Sequence, residues 1–296
     1  MPVMGATATN SLGQITLREW LIDASAALLR AGVSDAHVAA ECLLMAALGY
    51  DRAQLFARLG ATLPPELLPQ LDGWLQRCLA REPLAYVLGE REFWSRTFVV
   101  SPAVLVPRPE TEHLVEVALA CFPEAARGAT IRACDVGTGS GCLAATLAAE
   151  WPAAEVVATD VSAEALAVAR ENARRLGVAE RVHFMMADGL SAFLPQSFDL
   201  VISNPPYLSE TDWAHADPEL AYEPRVALDG GPDGLAVIRR IVAAAPRVLR
   251  RGGWLVLEMG SSQSDAVQEL ARQARAQHLF VQNDLAGWPR VVAARW

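Results

Sequence analysis

From Gly128 to the C-terminus, short apolar runs alternate with longer stretches whose apolar residues recur every three to four positions. The short runs are Ile131–Val136, Glu155–Thr159, Val182–Met186, Phe198–Ser203 and Trp254–Met259, each read as a strand. Between them, helices are expected from Gly141 to Glu150, from Ser162 to Gly177 and from Leu235 to Arg251. A further helix over Ser264–Gln277 precedes two closing strands, Leu279–Asn283 and Arg290–Arg295. Residues 208–234 read as a long irregular loop. This rhythm leaves room for little but an α/β fold, because parallel strands need helical crossovers between them. The expectation is a doubly wound, largely parallel sheet.

Such sheets bind ligands at the carboxyl ends of their strands. Three strand ends carry polar residues that fit that role. The first runs into Asp135-Val-Gly-Thr-Gly-Ser-Gly141, a glycine loop that opens a helix. Glycines let a ligand approach the backbone, and a helix N-terminus favours negative charge. Gly137, Thr138, Gly139, Ser140 and Gly141 are therefore candidate cofactor contacts. Their spacing is Gly-x-Gly-x-Gly, unlike the dinucleotide fingerprint. The second strand ends at Asp160, where a carboxylate can take two ribose hydroxyls. The third closes at Asp188-Gly189, where an adenine edge would lie.

The fourth strand ends in Asn204-Pro205-Pro206-Tyr207. Neither proline donates a backbone hydrogen bond, and Asn204 is restrained to extended conformations by the proline after it. This stiff corner suits a planar, weakly nucleophilic NH2 group. The Asn204 side-chain oxygen and the Pro205 carbonyl can accept its hydrogens, while Tyr207 stacks on its plane. The bland alternative is a structural turn closed by a packing tyrosine.

The N-terminal third has a different texture. Thr16–Gly32 reads as a helix opened by a Thr16/Glu19 capping box, followed by helices from Ser34, Asp51 and Pro64. Residues 16–82 are thus expected to form a small all-α bundle, with residues 1–15 a disordered tail. Pro83–Val100 reads as a β-hairpin, so residues 83–107 are expected to be a linker and 108–296 the α/β domain. The tail lacks a basic region before an apolar core, and no run is long and apolar enough to span a membrane. Cys134 and Cys142 read as buried thiols beside the glycine loop, which suits a reducing cytoplasm. All 25 basic residues are arginine, so lysine chemistry is excluded, and no cysteine pair has metal-ligand spacing. The net charge of −9 argues against a duplex-binding surface.

Together, Asp135–Gly141, Asp160 and Asn204–Tyr207 resemble the class I S-adenosylmethionine-dependent methyltransferases, whose sheet is Rossmann-like. More narrowly, the chain is similar to the bacterial peptide chain release factor N5-glutamine methyltransferases. The motifs that carry this are Pro83-x-x-Tyr86-x-x-Gly89, Phe93, Phe98, Val106-Pro-Arg-Pro-Glu-Thr-Glu112 and Glu258-Met-Gly260. The resemblance implies that Gly137–Gly141 and Asp160 hold S-adenosylmethionine, that residues near Asp188 and Gly189 line its adenine side, and that S-adenosylhomocysteine is the product. It implies that Asn204, Pro205, Pro206 and Tyr207 bind the glutamine of a Gly-Gly-Gln loop on a class-1 release factor, with no metal. Gly189 stands where relatives can carry an aromatic residue, so no side chain stacks there. A monomer in the cytoplasm is expected, with release factors as partner and neither nucleic acid nor membrane. Two rivals stay open: a DNA adenine N6-methyltransferase, which would need a basic recognition module, and a non-catalytic S-adenosylmethionine-binding protein.

Overall fold

The computed structural model describes residues 15–125 and 128–296, so the expected tail lies outside the described residues except for Ile15. The chain divides into two compact units, Met1–Gly89 and Glu90–Trp296.

The first unit is helical. Its elements are α1 (Leu17–Arg30), α2 (Ala36–Leu48), α3 (Arg52–Ala57), α4 (Leu68–Leu79) and α5 (Leu84–Leu88). The capping box predicted for α1 is present: the Glu19 N–H donates to Thr16 Oγ1 and the Thr16 N–H to Glu19 Oε2. Trp20, Leu21, Leu28, Leu43, Leu44, Leu71 and Leu75 share one buried core. The reading of Pro83–Gly89 as hairpin is corrected. Residues 84–88 are helical, with Val87 in the bundle core and Gly89 in the left-handed region as the cap. Burial of that face overrides the strand preference of Tyr86 and Val87. The unit therefore ends at Gly89, rather than at residue 82.

The second unit opens with a hairpin, β1 (Glu90–Phe93) and β2 (Arg96–Val99), then α6 (Glu112–Cys121). Its main sheet comprises β3 (Arg132–Val136), β4 (Glu155–Asp160), β5 (Val182–Met186), β6 (Phe198–Ser203), β7 (Leu249–Glu258), β8 (His278–Asn283) and β9 (Pro289–Arg295). Their order is β5-β4-β3-β6-β7-β9-β8, with β9 antiparallel to both neighbours and the other pairings parallel. The remaining helices are α7 (Cys142–Glu150), α8 (Ala163–Arg175), α9 (Glu210–Trp213), α10 (Ala236–Val248) and α11 (Ser264–Gln273). Successive strand residues feed opposite faces, as pleating requires. Leu200 and Ile202 enter one core with α6 and α7, whereas Val201 enters the other with α10 and α11. Cys134 and Cys142 are buried as expected.

Two expectations change in detail. The helix predicted to reach Arg251 stops at Val248, and β7 begins at Leu249, which pairs with Phe198 through an irregular register. The loop 208–234 contains α9 and two 3-10 turns, Pro218–Tyr222 and Arg225–Ala227. The chain leaves β3 towards β4 and β5, then returns to place β6 on the other side of β3. This is a topological switch point, and it sets the glycine loop beside the Asn-Pro-Pro-Tyr corner.

Candidate active site

A cavity of about 350 Å³ opens at that point. Its wall includes Gly137–Ser140, Asp160, Asp188, Gly189 and Asn204–Pro206, together with Arg108 and Thr111. Strand-end residues far apart in sequence thus meet around one space.

The glycine loop is held from beneath. Asp135, 1% exposed, accepts from Thr138 Oγ1 at 2.6 Å and from the Ala144 N–H at 3.1 Å. Burial nevertheless raises its carboxyl pKa to about 7, and its Oδ1 has no hydrogen-bond partner. Buried Asn172 of α8 donates to the Ser140 carbonyl at 2.8 Å and exchanges two hydrogen bonds with the Val99 backbone. Gly141 is at φ +79°, and a Cβ there would lie 3.0 Å from Ala169 Cβ. At Gly137 and Gly139 an added Cβ would meet nothing within 4 Å, so this backbone is open to a ligand.

Asp160 accepts from the Gly139 N–H and the Ser162 N–H, each at 2.9 Å. One bond to each oxygen leaves each a further acceptor site. Asp188 lines the cavity, but its carboxylate is paired with Arg240 at 2.7 Å, and Gly189 contributes backbone alone.

The Asn204 side-chain NH2 donates to Thr111 Oγ1 at 3.0 Å, which leaves the side-chain oxygen as an acceptor. Tyr207, expected to face a substrate plane, is not on the cavity wall. Its ring packs against the core under α10 and α11, and its hydroxyl lies 3.4 Å from Glu258 Oε1. Gln263 Nε2 donates to the Tyr207 carbonyl at 2.9 Å. Glu258, 1% exposed at the end of β7, has its carboxyl pKa raised to about 7 by burial. The Thr111 hydroxyl, Arg290 and the Tyr207 hydroxyl oppose that rise.

Buried Glu223 belongs to the segment between β6 and α10; it accepts from the Val106 N–H at 3.0 Å and pairs with Arg108. Thr111, Glu258, Asn172 and Glu223 were not among the site residues expected from sequence. Thr111 and Glu258 stand inside motifs that carried the resemblance, which was their available signal. Asn172 and Glu223 carry none, because their partners lie 73 and 117 residues away.

Residues 114–218 match the family model "Methyltransferase small domain", and residues 19–89 match "PrmC N-terminal domain". A release factor glutamine methyltransferase from Cereibacter sphaeroides is 44% identical over 269 residues, covering 90% of this chain and 94% of its own. The chain belongs to the release factor glutamine methyltransferase family. Another member, from Geobacter sulfurreducens, is 42% identical over 281 residues, covering 95% of this chain and 96% of its own.

Solved methyltransferase structures share the fold at low identity. The hMettl16 catalytic domain has a TM-score of 0.55 at 14% identity, covering 77% of this chain and 80% of that one. A Pyrococcus furiosus methyltransferase has a TM-score of 0.50 at 16% identity, covering 77% and 98%. Among the described residues no helix is long and apolar enough to cross a membrane, and no group of three or more His, Cys, Asp or Glu side chains could hold a metal ion.

Proposed function

We propose that this chain transfers a methyl group from S-adenosylmethionine to the side-chain amide nitrogen of the glutamine in the Gly-Gly-Gln motif of class-1 peptide chain release factors. The observation that carries this reading is the Asn204 amide, whose NH2 is taken by Thr111 and whose oxygen is left to accept. The family's printed name supplies the substrate class.

The cavity fits the cofactor. Gly137 and Gly139 offer an unobstructed backbone, Asp160 keeps an acceptor site on each oxygen, and Leu143, Leu190, Val237 and Ile241 supply apolar wall. When bound, S-adenosylmethionine supplies the methyl group as a sulfonium electrophile. The glutamine amide is a poor nucleophile, because its lone pair is delocalised into its carbonyl. Asn204 Oδ1 and the Pro205 carbonyl accept its two hydrogens, which orients the nitrogen and raises its electron density. The N–C bond would form as the sulfonium S–C bond breaks, and the amide nitrogen, made strongly acidic by the new bond, would release one proton to solvent. Catalysis is thus positioning with electrostatic complementarity, and no strong base is required. Tyr207 acts from behind the corner, through Glu258 and through its own carbonyl, which Gln263 holds.

A tripeptide is too small to distinguish release factors from other glutamine-bearing proteins, so recognition uses further surface. We assign that surface to the helical unit Met1–Gly89. The test is intact-mass analysis of purified release factor incubated with the full chain and S-adenosylmethionine. One added methyl, mapped to the Gly-Gly-Gln glutamine, is expected, and a free Gly-Gly-Gln peptide should be a poor substrate. No mass increase on release factor would refute the assignment.

A further inference from the structure

Asn204 serves a substrate amide only if its side chain stays in one place, and the prolines beside it restrain its backbone alone. The side chain is held by Thr111, which takes its NH2 at 3.0 Å. Whatever fixes the segment carrying Thr111 therefore fixes Asn204.

That segment is short and stiff. The Thr111 N–H donates to the Arg108 carbonyl at 3.1 Å, within the turn Pro109–Thr111. Pro107 and Pro109 flank Arg108, restrain φ and donate no backbone hydrogen bond. A hold on Val106 and Arg108 is thus passed on to Thr111. One side chain supplies both contacts. Buried Glu223 accepts from the Val106 N–H with Oε2 at 3.0 Å and pairs through Oε1 with Arg108.

Glu223 sits on the loop that leaves the corner itself. Directly after Tyr207, the Leu208 N–H donates to the Leu228 carbonyl and the Gly230 N–H to the Leu208 carbonyl, each at 2.9 Å. These bonds close the base of the loop 209–227. The contacts then form a circuit. It runs from Asn204 along the chain to Leu208, across to Leu228 and back to Glu223. From there it crosses to Arg108, follows the turn to Thr111 and returns to Asn204. Arg108, Thr111, Asn204, Val226 and Ala227 all stand on the cavity wall. A buried ion pair is often no more stabilising than well-packed apolar side chains. Its directional contacts do fix where two segments of backbone meet.

We propose that Glu223 is a positioning residue for methyl transfer, a clasp that joins the Val106–Thr111 segment to the loop and so holds the Asn204 amide in place for the substrate. The inference rests on the reading of Asn204 as the substrate's partner.

Turnover and amide order are tested separately in the full chain. Glu223→Ala should lower kcat for release factor at least about tenfold, with S-adenosylmethionine affinity changed less than about threefold. Glu223→Gln keeps an oxygen for the Val106 N–H and should recover part of the loss. Arg225→Ala breaks the exposed Arg225–Asp229 pair of the same loop without touching the clasp, and should stay within about twofold of the parent. In the Thr111→Val background Glu223→Ala should cost little more, because both act on Asn204 through one chain of contacts. Equal costs in the two backgrounds, or an Arg225→Ala loss as large as that of Glu223→Ala, would overturn the proposal. So would full turnover by Glu223→Ala.

The second readout needs no turnover. Labelling with 15N-asparagine marks only Asn10, Asn172, Asn204 and Asn283, and Asn204→Ala identifies the Asn204 side-chain signal by its loss. Its NH2 should exchange slowly with solvent in the parent and in Arg225→Ala, and about threefold or more faster in Glu223→Ala and Glu223→Gln. Unchanged exchange in both Glu223 variants would overturn the clasp. A parent chain that shows this dependence on Glu223 but does not methylate release factor would remove the functional reading and leave the clasp standing.

Discussion

Gly234→Ala should unfold the protein more easily than its location in a connecting segment implies. Gly234 is at φ +73°, and a Cβ there would lie 2.3 Å from the Tyr207 carbonyl oxygen and 2.4 Å from Gln263 Nε2. Gln263 is the group that holds that carbonyl, at 2.9 Å. Two costs add. An L-residue forced into the left-handed region loses about 1–2 kcal/mol, and overpacking a fixed backbone atom loses about 1–3 kcal/mol more. Gly177→Ala separates them, because Gly177 has φ +70° in the same unit with nothing within 4 Å of its would-be Cβ. Urea unfolding of the full chain should therefore show a loss of about 1–2 kcal/mol for Gly177→Ala and roughly 2–5 kcal/mol for Gly234→Ala. The corner should also shift in Gly234→Ala, lowering methyl transfer while cofactor affinity holds. Equal destabilisation by the two variants would refute the claim that the Tyr207 carbonyl is packed against Gly234.

Asp160→Ala should weaken S-adenosylmethionine binding, since each charge-assisted hydrogen bond to a buried hydroxyl is worth about 1.5–3 kcal/mol; unchanged affinity by calorimetry would refute its ribose role. Asn204→Ala should lower turnover by roughly 10²-fold or more with cofactor affinity kept, and a parallel fall in affinity would move Asn204 out of the substrate site. Asp135 and Glu258 have carboxyl pKa values raised from 3.8 and 4.5 to about 7 by burial, so the folded state binds more protons than the unfolded one between those limits. Stability is thus fully present below the unfolded values and falls as pH rises towards 7, by up to about 1.4 kcal/mol per pH unit for each group. The cofactor-free protein should melt at a higher temperature at about pH 5.5 than at about pH 7.5, and Asp135→Asn or Glu258→Gln should flatten the difference. A melting temperature that rises across that interval would contradict the burial argument.

The architecture was legible from the chain because its causes are local. Alternating apolar runs set the strands, and the stops after Val136, Thr159 and Ser203 placed three polar turns at strand ends. The Thr16/Glu19 cap was readable for the same reason, since its partners are three residues apart. Only the tertiary structure decided how the corner is oriented. The Thr111 hydroxyl reaches Asn204 across 93 residues, Glu258 lies 51 residues beyond Tyr207, and Glu223 reaches back 115 residues to Arg108. Sequence places Asn204 beside two prolines, but the partner of its side-chain NH2 is a threonine 93 residues away. Likewise, residues 84–88 became helix because packing of one face outweighed a β-prone composition. Chemistry carried by one strand end is written in the neighbouring residues, whereas hydrogen bonds between distant residues exist only once folding has brought their members together.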